Sequence, residues 1–183
     1  MTTTRERALA AAVELVGTHG IRALTHARVD AQARLPRGST SNHFRTRAAL
    51  LSGVAAWIAE NEARDLSGVL GQPFEDVDGF VDLFTQGIEL LTGPYAIRTR
   101  ARYALFLEMA SDPELFAPMR LQREGMAAWT LGLLVELGTP HPDNAVRAFM
   151  AFGDGLILHR LSVDPNAPVR ESVEVAVRGC LAT

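Results

Sequence analysis

The sequence predicts an all-α fold of nine helices, three short ones followed by six longer ones. Three observations predict it. Apolar residues recur at the i, i+3, i+4, i+7 spacing of one helix face along almost the whole chain. No stretch shows the clean two-residue alternation of a half-buried strand bounded by turn residues. Glycine and proline clusters cut the periodic pattern into helix-sized pieces.

The first helix is expected over residues 4–18, with Leu9, Ala12, Val13 and Val16 on one face and Gly20 as a left-handed stop. Thr25 caps a short second helix that reaches Ala33. Pro36 suits the first turn of a third helix that ends at Phe44, because its missing N–H has no partner to lose there. Thr46 caps a long fourth helix, residues 47–70. Gly71, Pro73 and Gly79 mark a loop and the start of a fifth, whose stripe is Val77, Phe80, Val81, Phe84, Ile88 and Leu91. Gly93-Pro94 ends it, and residues 95–111 form the sixth. Asp112-Pro113 opens the seventh, expected to bend before Gly125 and resume to Leu137. Pro140 and Pro142 precede the eighth, residues 143–163, and the ninth covers residues 169–181. The expected domain boundary lies near residue 47, giving domains 1–47 and 48–183. The core of the first is expected to hold Ala8, Leu9, Ala12, Val13, Val16, Ile21, Leu24, Val29, Leu35, Phe44 and Leu50.

The net charge of −3 conceals two unlike halves. Residues 1–50 carry eight Arg against three acids, a net of +5; residues 51–183 carry ten Arg against eighteen acids, a net of −8. A basic head on an acidic body points the head toward a polyanion. The third helix sharpens this. From Pro36 to Phe44 it reads Pro-Arg-Gly-Ser-Thr-Ser-Asn-His-Phe, with no large apolar residue before its last position. Such a helix does not fill a core. Its short hydrogen-bonding groups can approach base edges, and its Arg and His can reach phosphate or guanine. Gly38 costs about 1 kcal/mol inside a helix relative to Ala, so it is expected where the backbone passes close to a phosphate or groove wall. Three short helices with a tight turn before the polar one describe a helix-turn-helix.

Residues 5–51 resemble the TetR family of transcriptional regulators. Gly20, Thr25, Val29, Ala33, Leu35, Pro36-Arg37-Gly38-Ser39, Phe44, Thr46-Arg47 and Leu50 stand at the spacing of the family's N-terminal pattern. The resemblance implies an N-terminal DNA-binding domain followed by a six-helix ligand-binding and dimerisation domain. It implies a repressor that binds a palindromic operator as a homodimer and leaves it when a small-molecule effector binds; an activator uses the same head. It also implies roles for residues. Thr25 corresponds to a phosphate contact at the start of helix two, and Arg28 reaches a base edge or phosphate. Arg37, Ser39, Thr40 and Asn42 face the major groove, His43 and Arg47 the DNA backbone, and Gly38 and Ser41 complete the DNA-contacting set. Ser41 stands where the family often has a backbone-touching Tyr, and Thr40 where it has an apolar Leu. Asp30 replaces a small Ala, which is expected to loosen helix two or leave a carboxylate facing arginines. Arg34 replaces the usual Gly of the turn, so a different bend is expected. The effector pocket implied for the body draws on Trp57, Phe84, Tyr103, Phe106, Met109, Trp129 and Met150, with Asp154 as a polar handle.

The eighth helix is apolar on more than one side, which predicts a two-fold dimer through helices eight and nine. Phe149, Phe152, Gly153, Leu156, Val173 and Val177 are its expected interface, and Gly153 and Gly155 would admit a close helix. An enzyme is not expected: no His follows a Glu at di-metal spacing, and no P-loop or nucleophile-elbow motif occurs. No cofactor or metal is expected either. The alternative is a helical small-molecule-binding protein or enzyme without DNA binding. The polar N-terminus does not read as a signal peptide, and a single cysteine, Cys180, suits a reducing compartment, so a cytoplasmic location is expected, with Cys180 as a small buried residue.

Overall fold

The structure, a computed structural model, describes residues 2–110 and 112–182, without the side chains of Pro113 and Phe116. Among the described residues there is no strand. The helices are α1 (Thr4–His19), α2 (His26–Gln32), α3 (Ser39–His43), α4 (Arg47–Leu70), α5 (Val77–Thr92), α6 (Ala96–Met109), α7 (Pro113–Glu136), α8 (Pro142–Ser162) and α9 (Arg170–Ala182), with a 3-10 turn at Ile21–Ala23. Most expected boundaries fall within two residues of these. The expected end of the sixth helix, Ser111, lies outside the described residues. α7 runs as one helix from Pro113 to Glu136, with Pro118 rather than Gly125 as the residue inside it that lacks a backbone N–H. The larger difference is α3. It begins at Ser39, because Gly38 takes φ 90° and caps it from a left-handed conformation. Gly38 is thus required by its backbone angle rather than by a close neighbour, since a Cβ there would meet nothing within 4 Å.

The start of α1 shows why the chain becomes helical where it does. Thr3 accepts from the Glu6 N–H, and the Glu6 carboxylate accepts from the Thr3 N–H, a reciprocal cap. Thr25, Thr46 and Asp112 cap α2, α4 and α7 in the expected way.

The chain folds into two compact units, Met1–Ala63 with Ala96–Leu121, and Arg64–Tyr95 with Gln122–Thr183. The first has a core built from α1, α2, α4 and α6: Leu9, Val13, Val16, Leu24, Val29, Phe44, Leu50, Ile58, Leu105 and Met109 are all buried in it. Each such side chain contributes about 1.5–3 kcal/mol of burial. All eleven residues expected in the head's core are buried, except Ile21 and Leu35, which are half-buried and packed against it. α1 and α6 pack along one another, and their approach is close because Gly17 has no side chain. A Cβ at Gly17 would lie 2.1 Å from the Ile97 carbonyl oxygen.

The second unit packs α5 against α8 and α9. Its centre is a run of touching rings. Phe80 meets Phe74, Phe84 and Phe149 at 5.7, 4.6 and 5.6 Å, and Phe84 meets Phe149 edge-on at 4.8 Å and Trp129 at 5.6 Å. Cys180 is buried here, as expected, and its thiol donates to the Ala145 carbonyl.

Candidate functional site

α3 presents its polar residues in two directions. Arg37, Ser41, Asn42 and His43 are exposed, as are Thr25 and Arg28 on the neighbouring turn of α2. These six form the outward part of the expected DNA-contacting set. The Thr25 hydroxyl accepts the Arg28 N–H at 3.3 Å and keeps its own proton to donate. Gly38 and Ser39 are half-buried at the turn, where the Ser39 hydroxyl donates to the Pro36 carbonyl at 2.6 Å.

Two members of the set point elsewhere. Thr40 is 0% exposed, and its hydroxyl donates to Asp30 at 2.5 Å, so it is a packing residue rather than a groove contact. Arg47 folds back on the protein: its guanidinium donates to the carbonyls of Leu24 at 2.5 Å and Ile21 at 3.3 Å and lies 3.6 Å from Glu108. Ile21 opens the 3-10 turn and Leu24 caps its C-terminal end, so the guanidinium is well placed to hold the turn.

Asp30 does not face arginines, nor does it loosen α2. It is 4% exposed and accepts three hydrogen bonds, from the Gly38 N–H at 2.7 Å, the Thr40 N–H at 2.8 Å and the Thr40 hydroxyl. Burial opposes its ionisation most strongly, but the Thr40 hydroxyl, the two N–H groups and nearby His26 together hold its carboxyl below the ordinary value of 3.8. One turn earlier on α2, the His26 Nε2–H donates to the Phe44 carbonyl at 2.6 Å. Sequence reasoning passed over His26, and only its four-residue spacing from Asp30 could have suggested a shared face. Arg34 adopts φ 52°, the left-handed conformation a glycine favours, so the turn keeps that shape with an arginine in it. The Arg7 side chain donates to the carbonyls of Ala33 and Arg34, fastening this end of α2 to α1.

The eight expected pocket residues divide between the units. Trp57, Tyr103, Phe106 and Met109 belong to the first, where Met109 is buried core and Trp57 and Phe106 pack against that core. Between them runs a feature the sequence did not reveal. The Arg102 guanidinium donates to the fully buried Glu62 carboxylate at 2.8 Å and lies over the Tyr103 ring at 4.9 Å. The only prior signal was a glutamate in the apolar run of the fourth helix. Phe84, Trp129, Met150 and Asp154 belong to the second unit. Asp154 is paired there with Arg123 through two hydrogen bonds, so its charge is already matched within the chain. The same unit has an open cleft of about 320 Å3 lined by Val69, Gln86, Glu89, Leu90 and Pro94, none of them an expected pocket residue.

Of the expected dimer contacts, Phe149, Val173 and Val177 are buried within the chain itself, the first in the ring cluster and the others on the inner side of α9. They complete the fold and have no surface to offer a second copy. Phe152, Gly153 and Leu156 are half-buried. The face of α8 that is exposed carries Ala148, Ala151, Gly155 and Leu158, flanked by Arg147 and His159, and Val175 is 73% exposed on α9.

Residues 75–183 match the family model described as tetracyclin repressor-like, C-terminal domain. Among solved structures, the multidrug binding protein EbrR complexed with ethidium is 29% identical, with a TM-score of 0.72 over 96% of this chain and 98% of that one. A TetR-family member from Streptomyces coelicolor A3 is 28% identical, with a TM-score of 0.73 over 96% of each chain. A transcriptional regulator from Rhodococcus sp. Rha1 is 19% identical and shares the fold, with a TM-score of 0.83 over 98% of this chain and 97% of that one. No curated protein matches the chain. The family model spans well over half the chain, the solved relatives span nearly all of it, and the chain belongs to the TetR family of transcriptional regulators.

Proposed function

We propose that the chain is a non-enzymatic repressor that binds an inverted-repeat operator as a homodimer and is released by a small aromatic molecule. In this reading residues 1–47 are the DNA-binding domain, residues 48–183 bind the effector and dimerise, and the protein works in the cytoplasm without a cofactor. One observation carries the DNA side. A five-residue helix in a segment of net charge +5 exposes Ser41, Asn42 and His43, with Arg37 beside them, and leaves apolar burial to Phe44, the residue that follows it. Short polar groups flanked by arginine are what base edges and phosphates require.

The dimer rests on the outward face of α8. Alanines and Gly155 bring no bulk, and among the described residues a Cβ at Gly153 or Gly155 would meet nothing within 4 Å. Exposed Leu158 and Val175 add apolar surface. Two-fold pairing presents two copies of the reading helix, so the operator expected is an inverted repeat with half-sites about one helical turn or more apart. The aromatic effector rests on the half-buried rings of Phe84 and Trp129, 5.6 Å apart, which suit a flat ring system, and on the ethidium complex of EbrR. Such a molecule releases DNA only by preferring the arrangement of the dimer that cannot bind it.

A gel shift with the DNA flanking the protein's own gene tests the reading. Saturable binding to one inverted repeat, weakened by effector, is the expected result. Equal binding to operator candidates and unrelated duplex would remove it.

A further inference from the structure

We propose that His26 and Asp30, one turn apart on α2, form a polar clamp that fixes both ends of α3, so that Asp30 with its partner Thr40 is a positioning residue for base discrimination. The inference rests on the DNA-binding reading above and goes beyond it, because neither residue touches DNA in that reading.

α3 is too short to hold itself in place. It has five residues and no side-chain cap of its own. A helix of one turn satisfies almost none of its terminal N–H groups internally. Asp30 supplies the missing acceptor from the neighbouring helix: Oδ2 takes the Gly38 N–H, and Oδ1 takes both the N–H and the hydroxyl of Thr40. Gly38, at φ 90°, turns its N–H into this carboxylate. At the other end the Phe44 carbonyl accepts from His26, while the Phe44 N–H donates to the Thr40 carbonyl. The start and the end of α3 are therefore each bonded to the same face of α2.

The sequence made Asp30 and Thr40 look like two separate departures, a carboxylate in place of Ala and a hydroxyl in place of Leu. The structure joins them into one exchange, a polar contact where the resemblance implied an apolar one. The two kinds of contact differ in what they specify. Apolar packing is non-directional and tolerates small slides and rotations. Charge-assisted hydrogen bonds fall off steeply with distance and angle. A shift of α3 by a few tenths of an ångström would move Ser41 and Asn42 relative to base edges, yet change phosphate attraction little.

The test compares four proteins, wild type, Thr40→Ser, Thr40→Val and the double variant Asp30→Ala/Thr40→Leu, which restores an apolar pair. For each, a thermal melt reports folding, and fluorescence titration at one salt concentration gives Kd for operator and for an unrelated duplex. Thr40→Ser, which keeps the hydroxyl and the N–H, is expected to keep the specificity ratio within about three-fold of wild type. The folded double variant and Thr40→Val are expected to bind unrelated duplex within about two-fold of wild type but to lose about ten-fold or more of the ratio. A folded double variant with the wild-type ratio overturns the proposal. If the double variant does not fold, Thr40→Val decides: it removes only the hydroxyl bond, and an unchanged ratio overturns the proposal. Loss of the ratio in Thr40→Ser overturns it too, since the bonds would then not be what matters. The wild-type titration keeps the two claims apart: a wild type without operator preference defeats the regulatory reading and this inference with it, whereas an operator-selective wild type with an equally selective double variant defeats the clamp alone.

Discussion

At the scale of single residues, exposure separates the side chains proposed to read DNA from those that hold α3 in place. Arg37 and Asn42 are exposed, whereas Thr40 is buried and Arg47 is engaged with backbone carbonyls. Arg37→Ala is therefore expected to weaken binding to operator and unrelated duplex alike, and to make the slope of log K against log salt shallower by about one. Asn42→Ala is expected to leave the salt slope unchanged and to cost about 1–3 kcal/mol of discrimination at one base pair, read by titrating single-substitution operators. An Arg37→Ala variant with an unaltered slope would place the phosphate contacts elsewhere. Asp30 adds a pH dependence to stability. Its folded carboxyl titrates below the ordinary 3.8, so its contribution is present above that value and is lost as pH falls through the lower folded-state value. Denaturant midpoints below about pH 4 should fall more steeply in wild type than in Asp30→Asn. Equal acid limbs would mean that the carboxylate's bonds carry no net stability.

At the scale of elements, local signals located most helices, and contacts between helices explain where they failed. The caps at Thr25, Thr46 and Asp112 were legible because a capping side chain reaches only two or three residues along its own chain. The true start of α3 was not, because its acceptor comes from Asp30, eight to ten residues away. The close packing of α1 on α6 was hidden for the same reason: nothing near Gly17 in the chain announces Ile97. Gly17→Ala places a methyl against a backbone oxygen, which cannot swing aside as a side chain could. Overpacking of this kind costs about 1–3 kcal/mol, and each kcal/mol lowers Tm by about 2–4 °C in a chain of this size. A circular dichroism melt should therefore show a drop of several degrees. An unchanged Tm would mean that the two helices stand further apart than 2.1 Å allows.

At the scale of the whole molecule, assembly and effector binding make separate claims. Leu158 and Val175 are 42% and 73% exposed, so replacing them leaves the core of the chain untouched. Leu158→Arg/Val175→Arg is expected to sediment as a 19.8 kDa monomer with wild-type helix content and greatly weakened operator binding. A double variant that stays dimeric would put the interface on another face. For the effector, ethidium is a defined probe. It should raise the Tm of wild type and lower operator occupancy over the same concentration range, and Trp129→Ala should blunt both effects, at a cost of about ten-fold in ligand affinity. A Tm rise without DNA release would identify a binder uncoupled from the head.

The sequence by itself determined the helical class, the positions of the helices other than α3, the core of the head and the resemblance carried by residues 5–51. Each depends on periodicity, turn residues or short-range capping, which operate over a few residues and can be read in order. Tertiary structure alone decided which polar residues face outward. Thr40, Asp30, Arg47, Glu62 and Arg102 are as hydrophilic in the sequence as Arg37 or Asn42, but each has a partner more than seven residues away that removes it from solvent or ties it to the protein. Burial of an apolar residue follows from its own chemistry. Burial of a polar one is tolerable only once a hydrogen-bonding partner has been brought to it, and which partner arrives is settled by the packing of helices distant in the chain.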